Sequence, residues 1–233
     1  MGHFGHARTG TAHEVEIRSG DAVLSGELNV PEGAQGVVLF AHGSGSSRHS
    51  PRNQFVARTI REKNVGTLLF DLLTREEEAV DERTRQLRFD LSLLALRLTD
   101  ATIWIKRNMN TRHLRVGYFG SSTGAGAALM AAAEIGEEIG AVVSRGGRPD
   151  LAGPEVLQYV QSPTLLIVGG FDDAVIKLNE AAFSWLRCEK KLKIVPGATH
   201  LFEESGTLEE VARLAAEWFE RHLQPQSNTA IES

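Results

Sequence analysis

Residues 114–126 read LRVGYFGSSTGAG, an apolar run that gives way at Gly120 to two serines and then to small residues. Its centre, Gly120-Ser121-Ser122-Thr123-Gly124, is G-x-S-x-G. A strand that turns sharply into a helix lifts the middle serine above a sheet, and flanking glycines remove side chains that would collide there. The start of the following helix then directs N–H groups at any anion that develops beside the serine. A tight turn with Ser122 or Thr123 as a helix cap accounts for the same letters. The surroundings therefore decide between the two.

Outward from this stretch, strand-like and helix-like segments alternate. Val37–Ala41, Gly66–Phe70, Leu114–Phe119, Ala141–Ser144, Pro163–Val168 and Leu192–Val195 read as strands. Pro51–Lys63, Thr84–Arg107, Thr123–Ile135, Ala174–Leu186 and Leu208–Leu223 read as helices. Inner strands that are apolar on both faces, separated by helices, predict a mostly parallel, doubly wound sheet covered on both sides. Glu14–Arg18 and Ala22–Val30 flank a Ser-Gly-Asp turn and predict an antiparallel hairpin before it. The charged stretch Arg75–Arg85 is expected as a solvated loop or helix start that borders a site at most. Residues 13–224 are expected to form one domain, with irregular ends at 1–12 and 225–233.

Composition narrows the function classes. Of 233 residues, 42% are hydrophobic and 24% charged, which is too apolar for a disordered chain. A net charge of −5 argues against a general nucleic-acid binder. There is no apolar run of transmembrane length. One cysteine, Cys188, excludes an internal disulfide framework and a multi-cysteine zinc site. His3, His6 and His13 are read as part of a loose start, without a metal role. The missing leader pattern leads to a cytoplasmic expectation.

In parallel α/β sheets, ligands bind beyond the carboxyl ends of the strands. Three residue types stand there in a telling order. Ser122 follows the Leu114–Phe119 strand, Asp172 follows Pro163–Val168 in GGFDD, and His200 follows Leu192–Val195 in PGATH. Serine, acid and histidine in this order, each just past a strand end, form a candidate nucleophile, orienting acid and general base. Asp172 is assigned to orientation and Asp173 to the cap of the next helix. After Val37–Ala41 comes His42-Gly43-Ser44-Gly45, a loop suited to an oxyanion hole. Ser44 is expected to give one N–H and Thr123 the other, with Gly43 a second choice. No Gly-Lys-Ser/Thr follows, so a phosphate loop fails, and Arg48 stands where a dinucleotide motif needs a small residue. Arg145 and Arg148, after the Ala141–Ser144 strand, read either as ordinary surface arginines on a loop or as residues that hold a substrate carboxylate. Cys188 and the three tryptophans are expected to serve packing.

The segments LFAHGSGSS, YFGSSTGAG, LLIVGGFDDAV and VPGATHLFEE together resemble the α/β-hydrolases of the dienelactone-hydrolase-like group. Dienelactone hydrolases proper are similar but use cysteine at the elbow, where this chain has Ser122. The resemblance thus implies a serine hydrolase for a small carboxylic ester or thioester, with no metal or organic cofactor. An acyltransferase with the same triad, or a non-catalytic binding module on the same scaffold, are the alternatives. The chain is also similar to small hydrolases related to modules fused to phosphoribosyltransferases. A small-molecule ester is the expected partner, without nucleic acid or membrane, and a homodimer is an open expectation. The short stretch 145–162, where larger relatives often carry a lid, implies an open site.

Overall fold

The computed structural model describes residues 10–224. Eight strands form one sheet: β1 (Ala12–Ser19), β2 (Ala22–Asn29), β3 (Gly36–Ala41), β4 (Gly66–Phe70), β5 (Arg115–Ser121), β6 (Ile139–Arg145), β7 (Thr164–Gly169) and β8 (Lys190–Val195). Their order across the sheet is β1-β2-β4-β3-β5-β6-β7-β8. β1 and β2 pair antiparallel, as does β2 with β4, and every later pairing is parallel. This is the α/β-hydrolase fold with its N-terminal hairpin. β3, β4, β6 and β7 are buried along their whole length, which is why their sequences are mainly apolar, although β6 ends in Ser144 and Arg145.

Seven helices follow in chain order: α1 (Pro51–Glu62), α2 (Arg75–Thr84), α3 (Leu91–Arg107), α4 (Thr123–Ile135), the single turn α5 (Pro154–Leu157), α6 (Asp173–Trp185) and α7 (Thr207–Leu223). One apolar cluster joins the sheet to α3 and α4, through Leu98, Ala101, Leu129 and Ala132. A second, on the opposite face, joins it to α1 and α7, through Val56, Ile60, Val211 and Phe219. Leu223 closes the second cluster over neighbouring strands. A Cβ on Gly36 or Gly140 would lie 2.5 or 2.8 Å from its side chain, so these glycines form the groove it fills.

Two expectations are corrected. The single helix expected over Thr84–Arg107 is broken. Arg85 adopts φ 55° at the end of α2, a 3₁₀ turn spans Leu87–Phe89, and Asp90 caps α3 by accepting the Leu93 N–H at 3.0 Å. Leucine spacing continues across this break and so hides it. The Arg75–Arg85 stretch is a helix in its own right. Thr74 and Glu77 form a reciprocal capping box at its start, with Glu76, Glu77 and Glu78 against the positive end of the dipole. Of the irregular ends expected at 1–12 and 225–233, residues 1–9 and 225–233 lie outside the described residues; Gly10 and Thr11 have no regular structure, and Ala12 already belongs to β1. His3 and His6 lie outside them too. No helix among the described residues is long and apolar enough to cross a membrane.

Candidate active site

Ser122 sits between β5 and α4 with φ 50° and ψ −126°. For a residue with a Cβ this is a strained conformation, and such strain persists only where the surroundings enforce it. They do so through close packing. A Cβ on Gly120 would fall 2.5 Å from the Ala125 Cα, and one on Gly124 would fall 2.2 Å from the Ala41 carbonyl oxygen. The two glycines of G-x-S-x-G are therefore what let strand, turn and helix pack this tightly. The Ser122 carbonyl accepts N–H bonds from Ala125 at 3.1 Å and Arg148 at 3.0 Å, which fixes the turn from two sides.

The loop after β3 lies directly against this turn. A Cβ on Gly43 would stand 2.9 Å from the Ser122 Cβ, so only glycine permits the approach. The Gly43 N–H donates to the Ser121 hydroxyl at 3.1 Å. That bond commits the Gly43 amide and leaves the Ser44 amide without a partner among the described residues. The Ser44 and Thr123 hydroxyls are 3.1 Å apart, so the two expected oxyanion donors belong to adjoining residues. His42 anchors the loop from below: its Nε2 accepts the Leu72 N–H at 3.0 Å. Burial holds the His42 imidazole below its ordinary pKa, in the neutral form that this bond needs.

Asp172 and His200 are joined, with 2.6 Å between the carboxylate and Nδ1. The aspartate is the more sheltered partner, its side chain 16% exposed against 42% for the histidine. One assignment is corrected here. Asp173 was expected to cap α6, but Asp172 itself holds the cap position and Asp173 is the first helical residue. Asp172 makes no side-chain cap bond, so its carboxylate is given to His200. Phe202, buried at φ 55°, pins the histidine loop into the core, and Glu204 accepts the Thr199 N–H and hydroxyl. Gly146 sits beneath: a Cβ there would lie 3.0 Å from the His200 carbonyl oxygen and 3.7 Å from its ring. Residues 146–148 thus touch both the histidine and the serine turn. The Ser122 hydroxyl itself makes no hydrogen bond to the imidazole in this structure.

The two arginines behave differently from a pair of substrate clamps. The Arg148 guanidinium is matched by Asp150, at 2.9 and 2.8 Å, and only its backbone meets the serine turn. Arg145 lies two residues beyond Val143 on β6 and so shares its face, toward α1 and α7. It is buried, its Nε and Nη1 meet no partner among the described residues, and burial together with nearby Arg52 lowers its pKa to about 10. Among the described residues, no group of three or more His, Cys, Asp or Glu side chains is placed to hold a metal ion.

A cavity of about 270 Å³ opens on the other side of the serine turn. Ser44, Thr123 and Leu73 line it, with Glu78, Glu82 and Arg88 from α2 and the turn after it. Sequence reasoning named the charged stretch Arg75–Arg85 as a border of the site but singled out no residue within it. The signal was present: Thr74-x-x-Glu77 marks a helix start just beyond the end of β4, where parallel sheets place their sites.

Comparison with a crystal structure fits this geometry. A dienelactone hydrolase from Anabaena variabilis is 57% identical, with a TM-score of 0.90 over 92% of this chain and 99% of that one. The chain belongs to the dienelactone-hydrolase-like group of α/β-hydrolases. Est1E from Butyrivibrio proteoclasticus shares the fold at 16% identity, with a TM-score of 0.73 over 90% of this chain and 98% of that one. Two Mycobacterium tuberculosis proteins, provisionally named phosphoribosyl transferases, are each 56% identical over 210 residues. The match covers 90% of this dienelactone-hydrolase-like chain, which spans only 46% of the length of each of those relatives. No family model matches.

Proposed function

We propose that the chain is a serine hydrolase that cleaves a small carboxylic ester or thioester through an acyl-enzyme. The observation that carries this reading is the Asp172–His200 bond at 2.6 Å, set beside a strained serine turn under a glycine-rich loop. Asp172 holds the proton on Nδ1, which leaves Nε2 as the base. His200 takes the Ser122 proton as the hydroxyl oxygen bonds to the carbonyl carbon. The Ser44 and Thr123 amides stabilise the resulting oxyanion; in other enzymes, removing one such donor costs about 2.7–4 kcal/mol. Collapse breaks the bond to the leaving group, which receives the proton from His200. Water, deprotonated by the same histidine, then releases the acid and restores Ser122. The reaction needs no metal or organic cofactor. The phosphoribosyl transferase name belongs to longer proteins, of which this chain spans less than half.

Ser122→Ala tests the assignment. It is expected to reduce hydrolysis of p-nitrophenyl acetate by at least about a thousandfold. It should also abolish labelling by a fluorophosphonate probe, with the unfolding midpoint little changed. Hydrolysis at the unmodified rate in Ser122→Ala would overturn the reading.

A further inference from the structure

The cavity beside the serine turn has a direction. Its walls include Gly43, Ser44 and Thr123, but neither His200 nor Asp172. In an acyl transfer the leaving group must lie toward the histidine, since that group receives the proton. The cavity is on the opposite side, where the acyl chain of the ester would extend. Its floor is apolar: Leu72, Leu73 and Leu94 are all buried and line it. Its volume, about 270 Å³, falls just below the usual range for ligand pockets, so it suits a short chain.

The far wall is charged and unbalanced. Three carboxylates, Glu78, Asp81 and Glu82, face one guanidinium, Arg88. Asp81 is buried and takes up that guanidinium, with Nε at 2.5 Å and the Leu87 and Arg88 N–H groups at 2.7 and 3.2 Å. Arg88 is held further by Nη2 on the Asp81 carbonyl oxygen at 3.3 Å. Glu78 and Glu82 make no hydrogen bond or ion pair to a cation among the described residues and are exposed at the rim. Partial desolvation raises the Glu78 carboxyl, Asp71, Glu82 and Asp81 add to the effect, and Arg88 offsets only part of it. A cation arriving between these two glutamates would relieve that repulsion, and an anion would add to it.

We propose that this cavity is the acyl subsite and that it favours a short acyl chain ending in a cationic amino or ammonium group. The proposal rests on the serine-hydrolase reading for its orientation. It adds the substrate class: small acids with a positive terminus, discriminated from their anionic counterparts by Glu78 and Glu82.

Three p-nitrophenyl esters with one leaving group separate the acyl side from the rest: the butyrate, the 4-trimethylammoniobutyrate and the hemisuccinate. The expected order of kcat/KM is cationic, neutral, anionic, with about tenfold between the ends. In the double variant Glu78→Gln, Glu82→Gln, that ratio should fall to within about threefold, at an unfolding midpoint close to that of the unaltered chain. Preference for the hemisuccinate, or a charge ratio untouched by the double substitution, would overturn the proposal. A binding arm stands apart from catalysis. Butyltrimethylammonium should shift the amide resonances of Leu73 and Thr123, and more weakly so in the double variant; no shift counts against the subsite. If that shift is seen while all three esters remain uncleaved and Ser122 unlabelled, the cavity's preference for a cation stands, while the hydrolase reading and with it the acyl assignment fail.

Discussion

His42 shows how a single residue connects the glycine-rich loop after β3 to the rest of the molecule. Its Nε2 must be unprotonated to accept the Leu72 N–H, so the folded chain resists a second ring proton, and burial is the main cause. Unfolded histidine takes up that proton near pH 6.5. The sign follows: above that pH both states carry neutral histidine and the contribution is complete. As pH falls below it, the unfolded chain gains a proton that the folded one refuses, and stability is lost. His222, also lowered by burial, acts in the same direction, so the difference between two chains isolates His42. In His42→Gln, the loss of unfolding free energy between pH 7 and pH 5.5 should be shallower by up to about 1.4 kcal/mol per pH unit. Urea titrations at several pH values measure it, and parallel slopes in the two chains would refute the account. Sequence placed His42 at the start of the glycine-rich loop but gave no hint of Leu72, because that bond joins the loop after β3 to the chain after β4. The positions of Ser122, Asp172 and His200 beyond strand ends were legible, since β5, β7 and β8 all stand where the sequence pattern predicted strands.

At the scale of elements, α2 is the part that sequence described least well and that the candidate site uses most. Thr74 accepts the Glu77 N–H at 3.2 Å, and Glu77 accepts the Thr74 N–H at 2.8 Å. The Glu77 carboxylate also binds the buried Arg97 of α3 at 2.5 and 2.6 Å, and Arg97 reaches the Leu72 carbonyl oxygen as well. One glutamate thus caps α2, ties it to α3 and steadies the strand end that floors the cavity. Its carboxyl is held low, first by the hydrogen bond from Arg97. Thr74→Ala should cost about 1 kcal/mol in a urea titration. Because α2 walls the cavity, the same change should raise KM for p-nitrophenyl butyrate more than it lowers kcat. A stability loss of that size with KM unmoved would show that the cavity wall does not depend on the cap. The break between α2 and α3 was not legible from apolar spacing. Leu87, Leu91, Leu94 and Leu98 keep step across it, while the chain turns on Arg85 in a left-handed conformation that favours glycine or asparagine. α4 was legible to the residue, because a turn forced by glycines starts it and Gly136 ends it at φ 74°.

The whole molecule is governed by a sheet that serves two cores at once. Along β3, Val37, Leu39 and Ala41 enter the cluster under α3 and α4, while Val38 and Phe40 enter the one under α1 and α7. Along β6, Val142 and Val143 divide in the same way. Neither core can be lost alone, since either loss exposes one face of the same four buried strands. We therefore expect residues 13–224 to unfold as one cooperative unit, although the helices lie in two separate layers. Leu98→Ala removes side-chain volume on the first face and Leu223→Ala on the second, each from a fully buried position. Each should cost about 2–5 kcal/mol. Trp104 packs against the first cluster and Trp218 lies in the second, so fluorescence of single-tryptophan chains reports on each face separately. Both reporters should shift to the same lower urea midpoint in either variant, with the far-ultraviolet signal following. If Leu223→Ala moved Trp218 alone and left Trp104 at its original midpoint, the two layers would be independent units, and the single-domain reading would fall.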